Sequence, residues 1–414
     1  MSDFSKYFLM STDDVLEYVQ SKRTFFSENA KLTCSEIGDG NINYVFRVSD
    51  KNGISDENGK SIIVKQAGLE TRIKPDLGVS TDRGRIESEI LKIQNSYAGG
   101  LVPEIYLYDK TMCAMIMQDM IGHTMMRNGL LNHETYPLFA DHVTTFMANC
   151  LVRTSDIVMD HKTKKQLVGS FINPDLCGIT EDLVYTEPYT DCFSRNHVFP
   201  PNAEFIKKEL YYDNALRLEA AKLKFEFMNN AQALIHGDLH TGSVFINKDH
   251  TYFFDPEFAF YGPMGYDIGN VVANLFFAWT NGDAQIDDKS KKAEFCNWCL
   301  KSIADTIDMF ISKFNKIYDE YVTDTMAKTK GFKEWYLNGI LSDTAGVAGI
   351  ESIRRIVGMA NVKDITSIED EKKRVRAEKI VISLAKDYIM HRNSLKCGED
   401  YLRAIKIAIS KYPL

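Results

Sequence analysis

Three short apolar runs stand close together past the middle of the chain: Ala233-Leu234-Ile235, Val244-Phe245-Ile246 and Tyr252-Phe253-Phe254. Each is bounded by Gly, Asn or Asp. Runs of that length and punctuation predict strands, the second and third joined as a hairpin through Asn247-Lys248-Asp249-His250. Upstream, residues 32–37, 44–48 and 61–65 alternate or run apolar as three antiparallel strands, and the compact stretch 113–117 predicts another. Helical spacing governs much of the remainder. Residues 10–29 read as a helix capped by Ser11 or Thr12, with Asp13 and Asp14 in its first turn. A second helix begins at Asp82. Others cover 136–151 and 210–227, and Tyr266-Asp267 opens an apolar helix reaching Trp279, for which Asp267 fits the cap. Between 152 and 232, Asn173-Pro174, Glu187-Pro188 and Pro200-Pro201 read as loops between helices. The last third is helical by pattern, including a small-residue helix over 343–358 and amphipathic closing helices from Val362 onward.

The strand pattern gathers carboxylates. Asp238 lies just past the first of the three runs, in His236-Gly237-Asp238, and Asp255 and Glu257 stand at the hairpin mouth, around Pro256. Carboxylates on one rigid apolar base repel one another, unless a cation shares them or one serves proton transfer. Phosphoryl transfer from a nucleotide needs both: a carboxylate that orients the attacking hydroxyl, here Asp238, and oxygen ligands for magnesium, here Asp255 and Glu257. His236 and His240 read as neutral imidazoles bonded to loop backbone. The turn from Gly38 to Asn43, with Lys65 on the third upstream strand, suits contact with phosphate oxygens. Such a lysine needs an acidic partner on the following helix, and Glu87 and Glu89 are both available. Arg354 and Arg355 sit together among apolar neighbours. Guanidinium groups are expensive to bury unpartnered, and adjacent helical residues diverge by about 100°. One of the pair is therefore expected to face the active site and the other an internal carboxylate.

The string His236-Gly237-Asp238-Leu239-His240 with a downstream acidic pair resembles the aminoglycoside phosphotransferase and choline kinase branch of the protein-kinase-like fold. Two departures from that branch, Ser243 for its usual Asn and Asp255-Pro256-Glu257 for Asp-x-Asp, make the segment similar to the 5-methylthioribose kinase family. The resemblance implies an α+β, two-lobed protein-kinase-like fold, with an ATP-binding lobe over 1–118 and a larger, mainly helical catalytic and substrate-binding lobe over 119–414. It implies Mg2+ and ATP as cofactors and a sugar hydroxyl as acceptor. Asn43 and Lys65 would contact ATP, and Met117, Gln118 and Asp119 would form a hinge whose backbone meets adenine. Asp255, Pro256 and Glu257 would lie at the nucleotide and metal, and Asp238, Arg354 and Arg355 at the substrate. Asp267 would brace the catalytic loop. The loop over 69–81 would act as a flap, although it lacks the Trp often carried there. A homodimer is also implied.

Composition removes other classes. The chain has 414 residues, 44% of them hydrophobic, and a formal net charge of −8. That length supports more than one packed unit. An acidic chain without a basic run is unsuited to nucleic acid or an anionic membrane. The longest dense apolar run, 271–279, is too short to span a bilayer, and the amino-terminal residues lack a signal-peptide pattern. Eight cysteines without framework spacing read as reduced thiols in a cytoplasmic protein, Cys296 and Cys299 included. The expected activity is transfer of the ATP γ-phosphate to the 1-hydroxyl of 5-methylthioribose. A kinase for choline, ethanolamine or homoserine, and an inactive nucleotide-binding scaffold, are the competing readings.

Overall fold

The structure is a computed structural model and describes residues 2–22, 25–27, 29–37, 43–51, 61–69 and 79–413. The chain divides into two compact units: Met1–Gly122 with Phe254–Phe258, and His123–Phe253 with Ala259–Leu414.

The first unit is built on a five-stranded antiparallel sheet of order β1-β2-β3-β5-β4, with β1 Leu32–Glu36, β2 Asn43–Asp50, β3 Ser61–Ala67, β4 Ile105–Asp109 and β5 Ala114–Gln118. Side-chain alternation along a strand sorts its two faces. Ile62 and Val64 join Phe46, Val48, Ala114 and Ile116 in a core closed by Val15, Tyr18 and Val19 of the helix Thr12–Lys22. Lys65, one residue out of phase, therefore belongs to the opposite face. The helix Arg83–Tyr97 buries Ile86, Ile90 and Leu91 and carries Glu87. The amino-terminal helix ends at Lys22, short of the expected residue 29. At its start Ser11 Oγ accepts from the Asp14 amide at 3.3 Å. Strand β3 continues to Ala67, so Lys65 lies inside the strand, paired in register with Val45 and Met115.

The second unit is mainly helical. The predicted hairpin is present, β8 Val244–Ile246 against β9 Thr251–Phe253, with the short β6 Thr124–Met125 on its other edge. β7 Ala233–Ile235 pairs instead with β10 Phe260–Gly262. The three proline pairs open helical segments where loops were expected: Pro174–Leu183, Glu187–Thr190 and the 3-10 turn Pro200–Asn202. Proline has no N–H to lose at a helix start and its fixed φ suits the first turn. The helix expected over 210–227 runs Asn214–Asn229, because the Asp213 carboxylate accepts from the Leu216 amide and sets the start there.

The core of this unit is the contact between the Gly265–Gln285 helix, buried along nearly all its length, and the small-residue helix Phe332–Val357. A Cβ on Gly269 would meet Thr344 O at 2.7 Å and Ala348 N at 2.8 Å. Both obstacles are backbone and cannot swing aside. Among the described residues no helix is long and apolar enough to cross a membrane, and Cys296 and Cys299 are buried free thiols. Gly269→Ala is expected to destabilise the protein by about 1–3 kcal/mol through overpacking, read as a lowered urea midpoint at unchanged m-value.

Candidate active site

The first unit holds a buried ionic cluster. Lys65 Nζ donates to Glu87 Oε1 at 2.7 Å and to Asp255. Glu89 is occupied elsewhere, by Arg85 at 2.7 Å, which decides between the two candidate partners. Asn43 Nδ2 donates to Glu257 Oε2 at 2.9 Å, and Asn43 Oδ1 accepts from Arg83 Nε at 3.2 Å. Arg83 Nε is also 3.6 Å from Glu257, while its terminal nitrogens donate to the carbonyls of Gly68, Val79 and Ser80. Asp255 takes φ +66°, the left-handed region that a non-glycine residue enters only under constraint; Pro256 beside it is buried. The sequence reading overlooked Arg83. Its only signal there was an arginine four residues before Glu87 on the same helix.

Charge counting explains the titration of this cluster. Three carboxylates, Glu87, Asp255 and Glu257, face two cations, Lys65 and Arg83. Burial, then repulsion from Asp255, lifts the Glu257 carboxyl to about 7. Burial lifts Glu87 to about 8, against the pull of Lys65. Burial works against the Lys65 ammonium, but Asp255 and Glu87 outweigh it and hold the charge on. The group therefore has one negative charge more than it can neutralise, and near pH 7 it retains a proton or shares a further cation.

The expected hinge residues lie at the end of β5. Met117 pairs with Ile63 on one side and Ile105 on the other. The Gln118 amide donates to Glu104 O at 2.8 Å, and Asp119 holds Arg47 in a two-pronged pair at 2.7 and 3.0 Å. The amide of Gln118 is thus spent within the sheet. The turn over 38–42 and residues 70–78 of the proposed flap lie outside the described residues.

The second unit holds the other cluster. Asp267 accepts from the His236 amide at 2.7 Å and the Gly237 amide at 3.0 Å. It braces the loop carrying Asp238 and does not cap its helix, which starts two residues earlier at Gly265. His236 Nδ1 accepts from the Asp238 amide at 3.3 Å, the loop-backbone bond expected of it. His240 does more than expected. Its Nδ1 accepts from the Gly242 amide at 3.0 Å, so its Nε2 carries the hydrogen, and Nε2 stands 3.3 Å from Asp238 Oδ2. Burial disfavours the imidazolium, and Arg127 and Arg355 add to that, against Asp238. A neutral His240 thus serves Asp238 as an N–H donor, and the positive field comes from the arginines. Burial pushes the Asp238 carboxyl up, but His240, Arg354 and Arg355 together hold it well below the usual carboxylate range.

Arg354 Nη2 lies 3.9 Å from Asp238 Oδ1. Both arginines of the pair reach one internal carboxylate: Glu351 accepts from Arg354 Nε and, at 2.8 Å, from Arg355 Nε. The expected division, one arginine to the site and the other to a carboxylate, is present with one addition: Arg354, which reaches Asp238, shares the Glu351 anchor with Arg355. Helical geometry permits this because Glu351 precedes the pair by three and four residues. Ser243 Oγ lies 3.3 Å from His240 Nδ1.

These parts are those of a small-molecule kinase, and comparisons agree. The model of the phosphotransferase enzyme family matches residues 33–293, and the α+β architecture is that of the protein-kinase-like fold. A methylthioribose kinase from Bacillus cereus is 36% identical over 388 residues, 94% of each chain. One from Geobacillus sp. is 39% identical over 376 residues, 91% of this chain and 90% of its own. Among solved structures, a choline kinase from Cryptosporidium parvum is distantly similar, with a TM-score of 0.47 and 13% identity across 97% of both chains. The chain belongs to the phosphotransferase enzyme family and, within it, to the methylthioribose kinases. It is an ATP-dependent phosphotransferase.

His240→Gln keeps an N–H for Asp238, whereas His240→Leu removes it. The expected outcome is near-normal turnover for the Gln variant and a fall of about 10- to 100-fold for Leu, the worth of a hydrogen bond to a charged group, measured as steady-state kcat.

Proposed function

We propose that this chain transfers the γ-phosphoryl group of ATP to the 1-hydroxyl of 5-methylthioribose, giving 5-methylthioribose 1-phosphate in methionine salvage. The observation that carries the reading is Asp238: a half-buried carboxylate kept ionised by an N–H donor and by arginines fixed on Glu351. An ionised carboxylate can accept the hydroxyl proton as the P–O bond forms. Arg354 and Arg355 present donors to a neutral, polyhydroxylated acceptor. Asn43, Lys65 and the Asp255-Pro256-Glu257 segment, with backbone at Met117, Gln118 and Asp119, form the ATP side. For adenine, the spent Gln118 amide moves the weight of that contact to Asp119.

Magnesium fits Asp255 and Glu257. Among the described residues no group of three or more His, Cys, Asp or Glu side chains converges to hold a metal alone. Magnesium asks for less, since one or two carboxylates beside water and phosphate oxygens suffice. The surplus negative charge around Lys65 is of the kind such an ion offsets. Bound there, it would neutralise charge on the transferring phosphates. Residues 1–118 would serve as the ATP-binding lobe and 119–414 as the catalytic lobe. Homodimerisation and a cytoplasmic location, expected from the sequence, belong to the same reading.

A cationic acceptor such as choline or ethanolamine needs an aromatic or acidic cage, and paired arginines near Asp238 oppose it. Homoserine, with its own ammonium, meets the same objection. An inactive scaffold has no use for Asp238 held ionised. The test is a phosphorylation screen of methylthioribose, ribose, choline and homoserine with labelled ATP. Methylthioribose is expected to be the preferred acceptor, and preference for choline would overturn the assignment. Asp238→Ala is expected to lower kcat by about 10²–10⁴-fold at unchanged ATP affinity, measured by calorimetry; near-normal turnover in a folded variant would exclude its role as base.

A further inference from the structure

Arg127 lies in the short helix Met126–Leu131, beside β6. Its bonding is poor for a cation in the interior. Nη2 donates only to Asn274 Oδ1, at 3.4 Å, and that oxygen already accepts from Thr241 Oγ1 at 3.2 Å. Nε is buried without a hydrogen-bond partner. The guanidinium makes no ion pair among the described residues, and it cannot escape by losing its proton. Burial, then repulsion from Arg355, lowers its affinity for that proton. Asp364, Asp238 and Glu351 are the negative charges that act on it.

Two features tie this side chain to the acceptor site. Gly242 is the first. A Cβ there would lie 3.1 Å from Arg127 Nη1 and 2.7 Å from His240 Cε1, so Arg127 and the imidazole that contacts Asp238 meet over the same glycine. Asp364 is the second. It is 1% exposed, and its Oδ2 is buried without a partner. Arg127 is the largest counterweight to the burial that raises its carboxyl. The cluster thus contains an unpartnered donor, Arg127 Nε, and an unpartnered acceptor, Asp364 Oδ2, within electrostatic reach of one another but not in contact. A hydroxyl group can satisfy both, accepting through its lone pairs and donating through its hydrogen. Leaving both unfilled is costly.

We propose that Arg127 is a third acceptor-recognising arginine, which holds a hydroxyl oxygen of the polyhydroxylated substrate beside the hydroxyl at Asp238 while Asp364 accepts from that same hydroxyl. The inference rests on the reading of Asp238 as the acceptor-side base.

The test is steady-state kinetics of wild type, Arg127→Gln and Arg127→Lys on the polyols that the wild type phosphorylates. Should methylthioribose not be among them, the same comparison runs on whichever polyol is, so the fate of the methylthioribose assignment and that of Arg127 are read separately. For Arg127→Gln, the acceptor KM is expected to rise about 10- to 100-fold, the worth of a charged hydrogen bond. The ATP KM and the melting temperature are expected to stay as in wild type. Among acceptors lacking one ring hydroxyl each, one should show a variant-to-wild-type ratio near unity, because its missing group is the one that Arg127 holds. Arg127→Lys keeps the charge without the fork, and serves if the Gln variant melts early; it too should raise the acceptor KM. An unchanged acceptor KM, a loss confined to melting temperature, or an equal penalty across all deoxy acceptors would overturn the proposal in favour of a packing role.

Discussion

The cluster around Asp238 depends on one buried carboxylate, Glu351. Glu351 is 1% exposed and lies in a stretch of helix, 344–353, otherwise made of small and apolar residues. Burial acts against its ionisation, and Arg354 and Arg355 together overcome it. Neither guanidinium could stay in this interior without it. With it, Arg354 is held at the edge of Asp238, and Asp238 remains ionised although it is half-buried. Replacing one partner of such a trio leaves an uncompensated charge, so the arrangement fixes position more than it adds stability.

The helix packing exists to make that placement possible. Gly265 and Gly269 let the backbone of the Phe332–Val357 helix, at Thr344 and Ala348, lie close against the Gly265–Gln285 helix. The second helix brings Asp267 to the amides of His236 and Gly237. One close contact thus sets both the arginine pair and the brace of the loop that carries Asp238. The same economy appears in the first unit, where Arg83 spends its terminal nitrogens on three carbonyls and leaves its Nε for Asn43 and Glu257.

The two clusters carry opposite electrostatic problems. Around Lys65 three acids confront two bases, and Glu257 and Glu87 titrate near neutrality. Around Asp238 the His240 N–H, Arg354 and Arg355 outweigh burial, and Asp238 stays charged. The first cluster suits a cation and the second an oxygen-rich neutral ligand, which is the division of labour a sugar kinase requires.

Much of this was legible in the residues alone. Strand periodicity located the sheet of the first unit and the hairpin, and placed Asp238, Asp255 and Glu257 just past short strands, because period and turn residues are local properties of the chain. The choice of Glu87 over Glu89 was not legible, since it depends on which face of a helix meets β3 and on Arg85 claiming the neighbour. Nor were Glu351 as a common anchor, the choice of brace over cap for Asp267, or His240 turned to Asp238. Each joins groups whose meeting is set by tertiary packing, and a carboxylate or imidazole in sequence looks the same whether it faces water or a buried partner. The order of residues set which groups exist and how the strands run; the fold decided which charges meet, because only burial makes an unpaired charge expensive enough to dictate its partner.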